Sequence, residues 1–232
     1  PSDLESFPGP IVTIHQPNFI PWTGCFHTMM MVDTYIYLDN VPFTKNGFQN
    51  RNKLLVNGEP RWLTVPVETH GKYTANTCDL VISDQTKWRK KHLATIRQNY
   101  GKTPFFHWVY HHIEPVYKSD ERNLVRFCIA LNQAIREMLD INNRVHLASE
   151  FKEVQGATDR LVSLVGNVGG KTYYSGKSGK KYLEEDRFQE AGISLQYQEF
   201  KPVPYDQFGS SFVPNLSTLD LLFNLGPDSV CW

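Results

Sequence analysis

The feature that most constrains this chain is an order of segments that occurs twice. "IVTIH" at 11–15 is short, apolar and β-branched; it runs into a polar turn, a helical stretch "PWTGCFHTMMMVDT" and a second apolar segment, "TYIYLDN" at 34–40. Later, "KTYYSG" at 171–176 is followed by "KKYLEEDRFQEAG", a helix stopped by Gly192, and by "ISLQYQEF". Strand, helix, strand in that order is the βαβ unit, and its two strands lie parallel. Parallel strands are covered on both faces, which is why such segments read as nearly continuous apolar runs. The fold class expected is α/β, with a Rossmann-like parallel sheet.

Between the two units the pattern changes. Residues 41–82 are rich in Asn, Gly, Lys and Arg, with Asn-Gly at 46–47 and 57–58 and a strand "RWLTVPV". We read this as a hairpin and loop insertion, since Asn-Gly favours tight turns. A helical middle section follows. "SDQTKWRKKHLATIRQNY" has Ser83 or Asp84 as its cap and Trp88, Leu93, Ile96 and Tyr100 near one face. "TPFFHWVYHHIEPVY" places Pro104 at a first helical position. "SDERNLVRFCIALNQAIREMLDI" has apolar residues at 124, 127, 128, 131, 135, 138 and 139, and "ATDRLVSLVGNVGG" is a helix closed by glycine. A short last helix, "PNLSTLDLLFNLG", is capped by Ser217 and stopped by Gly226. Residues 1–10 are polar and Pro/Gly-rich, a disordered lead-in, with one α/β domain expected over 11–232.

Bulk properties exclude several classes. The 24 basic and 24 acidic residues cancel, which argues against a strongly cationic nucleic-acid surface. Cys25, Cys78, Cys128 and Cys231 show no C-x-x-C spacing and read as reduced thiols. No apolar run reaches membrane-spanning length, and no secretory signal pattern is present, so a cytoplasmic protein is expected.

Candidate chemistry sits in loops. In open parallel sheets, ligands lie beyond the carboxyl ends of the strands. "HQPNFIPW" puts His15, Gln16 and Asn18 there, with prolines restricting the turn. Asp39 ends the next strand at the same edge, able to bind a hydroxyl or amine or to orient His15. "NRNK" supplies Asn50, Arg51 and Asn52 beside Lys45, and a guanidinium forks onto phosphate or carboxylate. "YYSGKSGKKY" offers Ser175, Gly176 and Ser178 with Lys177, Lys180 and Lys181 to an anion. Other patterns carry less. "VGNVGGKT" lacks the first P-loop glycine and closes a helix instead of opening one. His107 and His111 are spaced for zinc, but the H-E-x-x-H glutamate is absent, so no metal site is expected beyond magnesium accompanying a nucleotide. Cys25 beside "FHTMMM" reads as a buried core thiol, not a nucleophile paired with His15 or His27.

Three blocks together resemble a known family: "IHQPNFIPWTGCF…VDTYIYLDNVPFTKNGFQNRNKL", "YYSGKSGKKYLEEDRFQEAGISLQYQEF" and "PYDQFGSSFVPNLSTLDLLFNLG". The chain looks like a WbqC-like family protein from Ile11 to Gly226. The resemblance implies a link to bacterial surface-polysaccharide clusters that build acylated amino sugars. It matches Gln16, Asn18, Trp22, Gly24, Asp33, Asp39, Lys45, Asn50, Arg51, Asn52, Ser175, Gly176, Tyr182, Tyr205, Gln207, Phe208, Ser217 and Asp220, among others. Cys25 departs from the aromatic residue usual there. A more distant likeness is to nucleotidylyltransferases, whose His-x-Gly-His helix is laid out like "PWTGCF", with Trp22 and Cys25 at the two His positions. Their adenylyl-transfer machinery is therefore not implied.

The function expected is an acyl (glycyl or aminoacyl) transferase or amide-forming ligase acting on the amino group of a nucleotide-linked amino sugar or similar small amine. His15 or Asp39 would be the base, with Lys45 and Arg51 stabilising charge. Gln16, Asn18, Trp22, Asn50, Asn52, Ser175, Gly176, Lys180, Tyr182 and Gln207 would bind substrate. The sequence leaves open whether ATP is the cofactor, whether the same pocket only binds a nucleotide sugar, and whether an aminoacyl-tRNA is the donor, for which "KWRKKH" at 87–92 gives a basic helix face. No membrane partner is expected, and the oligomeric state stays open.

Overall fold

The computed structural model describes residues 7–68, 76–209 and 211–231. The lead-in expected over 1–10 therefore lies outside the described residues up to position 6. From there, the Pro10 carbonyl accepts hydrogen bonds from the Lys171 and Thr172 amides at 2.8 and 3.2 Å. The chain forms two compact units, one of Pro1–Gln16, His27–Asn40 and Asn142–Lys201, the other of Pro17–Phe26, Val41–Ile141 and Pro202–Trp232.

The first unit is built on five strands: β1 (Ile11–His15), β2 (Thr34–Tyr37), β5 (Arg144–Leu147), β6 (Thr172–Ser175) and β7 (Ser194–Tyr197). Their order is β5-β2-β1-β6-β7 and every pairing is parallel, as the βαβ pattern requires. The chain winds outward from β1 toward β5 and from β6 toward β7, so the switch point lies between β1 and β6. The inner strand β2 is buried throughout, whereas β7 at one edge is half-buried.

Val12 and Ile14 pack with Ile36 against Leu161, Leu164 and Val165 of α5 (Ala157–Asn167) and Phe188 of α6 (Glu185–Glu190). Alternation sends Ile11 to another cluster with Val32 and Tyr174. Tyr173 stacks on Phe188 with centroids 5.3 Å apart. The segment read as one helix from Lys180 divides into a 3-10 turn, Lys177–Lys181, and α6.

Strand β5 was not legible as a strand. Its four residues, Arg-Val-His-Leu, are polar enough for an edge and too few to show a period. The glycine stop after α5 is confirmed, and it has a second role. Gly169 adopts a φ of +73°, and Gly170 sits where an added Cβ would lie 2.5 Å from Val12 Cγ2 and 3.0 Å from the Val165 carbonyl oxygen.

The second unit joins a hairpin to helices. Strands β3 (Arg51–Val56) and β4 (Glu59–Thr64) pair antiparallel across Asn57–Gly58, whose φ values of 53° and 77° suit a tight primed turn. Arg51, Asn52 and Lys53, read as loop, are thus strand residues. Helix α1 spans Thr23–Met30, and helices α2 (Trp88–Tyr100), α3 (Phe106–Lys118), α4 (Leu124–Met138) and α7 (Thr218–Leu225) complete the second unit. Helix α2 starts later than its expected Ser83 or Asp84 cap, because the Asp84 carboxylate lies 3.3 Å from Arg122 and 4.0 Å from Arg89.

The buried residues of α2 are Trp88, His92, Ile96 and Tyr100, so the stripe holds His92 where Leu93 was expected. His92 sits among Phe19, Trp88 and Tyr117. All the apolar positions expected on α4 are buried. No helix among the described residues is long and apolar enough to cross a membrane.

Two outcomes follow. Gly170→Ala is expected to lower stability by about 1–3 kcal/mol, read from denaturant midpoints, because backbone and two valines must move. His92 has its pKa lowered from 6.5 to about 4 by burial, opposed weakly by a hydrogen bond involving the Thr64 backbone. Its contribution is present above pH 6.5. As pH falls toward 4 the unfolded chain takes up a proton that the folded chain refuses, and stability drops by about 3 kcal/mol. A His92→Gln variant, compared by denaturation at pH 7 and pH 4, is expected to lack that component.

Candidate functional site

The carboxyl edge of the parallel sheet gathers His15, Gln16, Asp39, Ser175, Gly176, Lys180 and Tyr182, all in the first unit. His15 is the last residue of β1, and its Nδ1 lies 3.0 Å from the Gln16 carbonyl oxygen. A carbonyl only accepts, so this contact places hydrogen on Nδ1 and makes Nε2 the basic nitrogen of the neutral ring. Ser175 ends β6 on the far side of the switch point. Its Oγ donates to the Gly176 carbonyl at 3.2 Å, and a Cβ at Gly179 would come within 2.3 Å of that Oγ. Glycine at 179 is what lets the lysine-bearing turn close over Ser175.

Lys177, Lys180, Lys181 and Tyr182 are exposed. The Lys180 ammonium stands 5.0 Å from the centroid of Tyr197, which ends β7. Burial and a hydrogen bond to Glu185 push the Tyr197 phenol up to about 12. This edge therefore combines an oriented imidazole, cations and an aromatic ring.

Asp39 lies two residues past β2 and is buried. Its carboxylate accepts from the Ser149 amide at 3.0 Å and the Ser149 hydroxyl at 2.6 Å, just beyond β5. That contact fastens the ends of two neighbouring strands. Asp33, matched by the resemblance, acts at the opposite edge, accepting from the Ile11 amide at 2.7 Å.

The remaining expected residues, Asn18, Trp22, Lys45, Asn50, Arg51, Asn52 and Gln207, belong to the second unit. The buried amides brace backbone. Asn52 Nδ2 donates to the Ile20 carbonyl at 2.8 Å, and Asn50 Nδ2 donates to Val65 at 2.9 Å. Ile20 needs the help: its φ is 36°, a strained value for a β-branched residue. The indole of Trp22 lies against Gly24, where a Cβ would meet ring carbon Cζ2 at 2.3 Å. Trp22 also bridges to Ser217, and the Thr218 amide donates to the Pro21 carbonyl at 2.8 Å.

Arg51 lies 4.2 Å from the Trp62 ring centroid and donates to the Asn46 carbonyl at 2.6 Å; Lys53 is 4.9 Å from the same ring. Lys45 is exposed, and Cys25 is buried. No disulfide joins Cys25, Cys78 and Cys128, and the side chain of Cys231 lies outside the described residues. Among the described residues, no group of three or more His, Cys, Asp or Glu is placed to hold a metal ion.

Gln207 opens onto a network that sequence reasoning did not assemble. Asp220, fully buried on α7, accepts hydrogen bonds from the Tyr100 hydroxyl at 2.6 Å, the Tyr205 hydroxyl at 2.7 Å and Gln207 Nε2 at 2.9 Å. Tyr100 in turn accepts the Leu55 amide at 2.9 Å. Burial raises the Asp220 pKa against the pull of its three donors. Burial also raises both tyrosines, with Asp220 adding to the shift. The available signal was an aspartate inside the apolar run "STLDLLFNL".

A model of the WbqC-like protein family matches residues 16–231. The chain belongs to the WbqC-like protein family. It is also similar to the uncharacterized protein Rv1507c of Mycobacterium tuberculosis (strain ATCC 25618 / H37Rv), with 31% identity over 220 residues, 94% of this chain and 95% of that protein. No solved structure matches the chain. In this WbqC-like chain, several residues quoted for the resemblance hold its backbone in place: Trp22 against Gly24, Asn52 under Ile20, and Tyr205 with Gln207 on Asp220. Tyr100→Phe, which removes one hydroxyl and leaves the Leu55 amide without its acceptor, is expected to lower stability by about 2 kcal/mol in urea denaturation.

Proposed function

We propose that this protein forms an amide, transferring an acyl or aminoacyl group to the amine of a nucleotide-linked amino sugar or similar small amine in surface-polysaccharide or related biosynthesis. The observation that carries this reading is the switch point of the parallel sheet, with His15 and Gln16 on one side and Ser175, Gly176 and the lysine turn on the other. Nucleotides lie at such edges in open parallel sheets. Lysines 177, 180 and 181 suit phosphate, and Tyr182 and Tyr197 offer aromatic faces.

The acceptor arrives as an ammonium and must lose a proton before its nitrogen attacks. Nε2 of His15 is the group suited to take it. The nitrogen then bonds to the donor's carbonyl carbon, the carbon–oxygen bond to the activating group breaks, that group leaves with the electron pair, and the second proton shed by the nitrogen passes to water. With ATP as the source of activation, the donor carboxylate first attacks the α-phosphorus and displaces pyrophosphate, and the group then leaving the carbonyl carbon is AMP, whose charge the lysines would balance. Arg51 and Lys45 remain candidates for charge stabilisation, and magnesium would accompany the nucleotide.

A specific observation favours a second reading, nucleotide-sugar binding without turnover: Asp39, the other candidate base, is already held by Ser149. An aminoacyl-tRNA donor has less support. In "KWRKKH", His92 is buried and Arg89 turns in over Trp88 and Phe127, which leaves a narrower basic face.

Incubation with ATP, glycine and an amino-sugar nucleotide, followed by mass spectrometry, is expected to show an amide product and released AMP. His15→Ala is expected to lower turnover about 100-fold with the fold intact by circular dichroism. Arg51→Ala is expected to reduce it as well. Binding across many amines with no turnover decides for the second reading, and wild-type turnover in both variants overturns the site assignment.

A further inference from the structure

A cavity of about 460 Å³ opens in the second unit, lined by Tyr205, Asp206, Gln207, Ser211, Phe212 and Leu225 among others. Its size suits a small metabolite. Two of its walls are aromatic: the Tyr205 and Phe212 rings meet edge to face with centroids 5.3 Å apart. Asp206 is exposed at the lining.

Directly behind Tyr205 and Gln207 stands the Asp220 carboxylate, which has no solvent exposure. Its three hydrogen-bond donors are all neutral groups, two phenols and a carboxamide. Among the described residues, no lysine, arginine or histidine forms an ion pair with Asp220 or with Asp206. A carboxylate taken out of water without a counter-charge is costly even when hydrogen-bonded. Its field persists through the low-dielectric wall into the cavity.

The wall itself is tuned by this charge. A phenol that donates to a carboxylate becomes richer in electrons, on its oxygen and over its ring. Such a ring face attracts cations more strongly. The Gln207 carboxamide is engaged within the protein at both ends. Its Oε1 accepts the Val213 amide at 2.6 Å, and its Nε2 serves Asp220, Tyr205 and the Val213 carbonyl. Two carboxylates and two aromatic rings repel an anion. They also offer too few oxygens for a hard metal cation, which takes six or more.

We infer that this cavity is a binding site for a small organic primary ammonium, held over the Tyr205 and Phe212 rings, paired at the mouth by Asp206 and bringing the counter-charge that the buried Asp220 carboxylate behind the wall lacks. It is read from the second unit alone and stands whether or not the amide-forming reaction proposed above is correct.

The test uses matched pairs of probes on the full chain: glucosamine against N-acetylglucosamine, and glycinamide against N-acetylglycinamide. Acetylation removes the charge and keeps the rest. Titration by calorimetry or protein-observed NMR is expected to show the ammonium member of at least one pair binding about tenfold more tightly than its acetylated partner. Phe212→Ala and Asp206→Asn change side chains that are half-exposed or exposed, and each is expected to weaken that binding about fivefold or more. Tyr205→Phe keeps the ring and breaks its link to Asp220, and a loss of affinity there reports the tuning. Equal binding of amine and acetylated probes overturns the inference. So does wild-type affinity in both the Phe212 and Asp206 variants, or affinity weaker than about 10 mM for every ammonium probe.

Discussion

The first unit depends on a junction that the chain makes late. Strand β2 ends at Tyr37, and β5, its neighbour in the sheet, begins only at Arg144, after residues 41–141 have been given to the other unit. Two strands separated by so much chain need a fastening beyond their ladder, because loop closure works against them. Asp39 supplies it. Its buried carboxylate takes both the amide and the hydroxyl of Ser149, so the exit from β2 and the exit from β5 share one acceptor. At the opposite edge Asp33 performs the matching service, with its side chain on Ile11 and its carbonyl accepting the Arg144 amide at 3.0 Å. Short carboxylates at either end of one strand hold its two neighbours in register.

With that junction made, the carboxyl edge becomes a fixed platform. His15 and Ser175 are strand residues, not loop residues, and their positions follow from the register of β1 and β6. The cationic groups are left to the lysine turn, which closes only because Gly179 has no side chain above Ser175. Rigid strand ends beside a charged turn is the division of labour that nucleotide-binding parallel sheets use.

Much of this was legible in the sequence, for identifiable reasons. The two βαβ units showed because their strands are β-branched and buried on both faces. Helix α4 showed because six apolar positions within it, and Leu139 at its end, keep its period, and Ser217 showed as a cap because its hydroxyl does accept the Leu219 amide at 3.2 Å. What was hidden is equally specific. Strand β5 carries Arg144 and His146 on a sheet edge, where burial imposes no pattern. Residues 51–53 look like a polar loop because Arg51 and Lys53 share one face of the hairpin, over Trp62, while the buried Asn52 points the other way. The stripe of α2 misled at position 92, since a neutral, buried histidine behaves as an aromatic core residue and leaves Leu93 half-exposed. Asp220 was matched by resemblance alone. Its partners Tyr100 and Tyr205 come from distant segments, and no local spacing relates them.

The Asp220 network also sets an order of events in time. Tyr100 and Asp220 are 120 residues apart, and Thr13 of β1 donates to the Tyr174 carbonyl across 161 residues. A chain made from its amino end must hold Leu55, Tyr100 and the apolar faces around them unfinished until α7 has emerged. Each unit therefore closes on its late-made segments, and contacts of such long range slow folding. The nascent protein spends its synthesis as an incomplete sheet and an incomplete bundle, with apolar surface exposed to whatever chaperones its host provides.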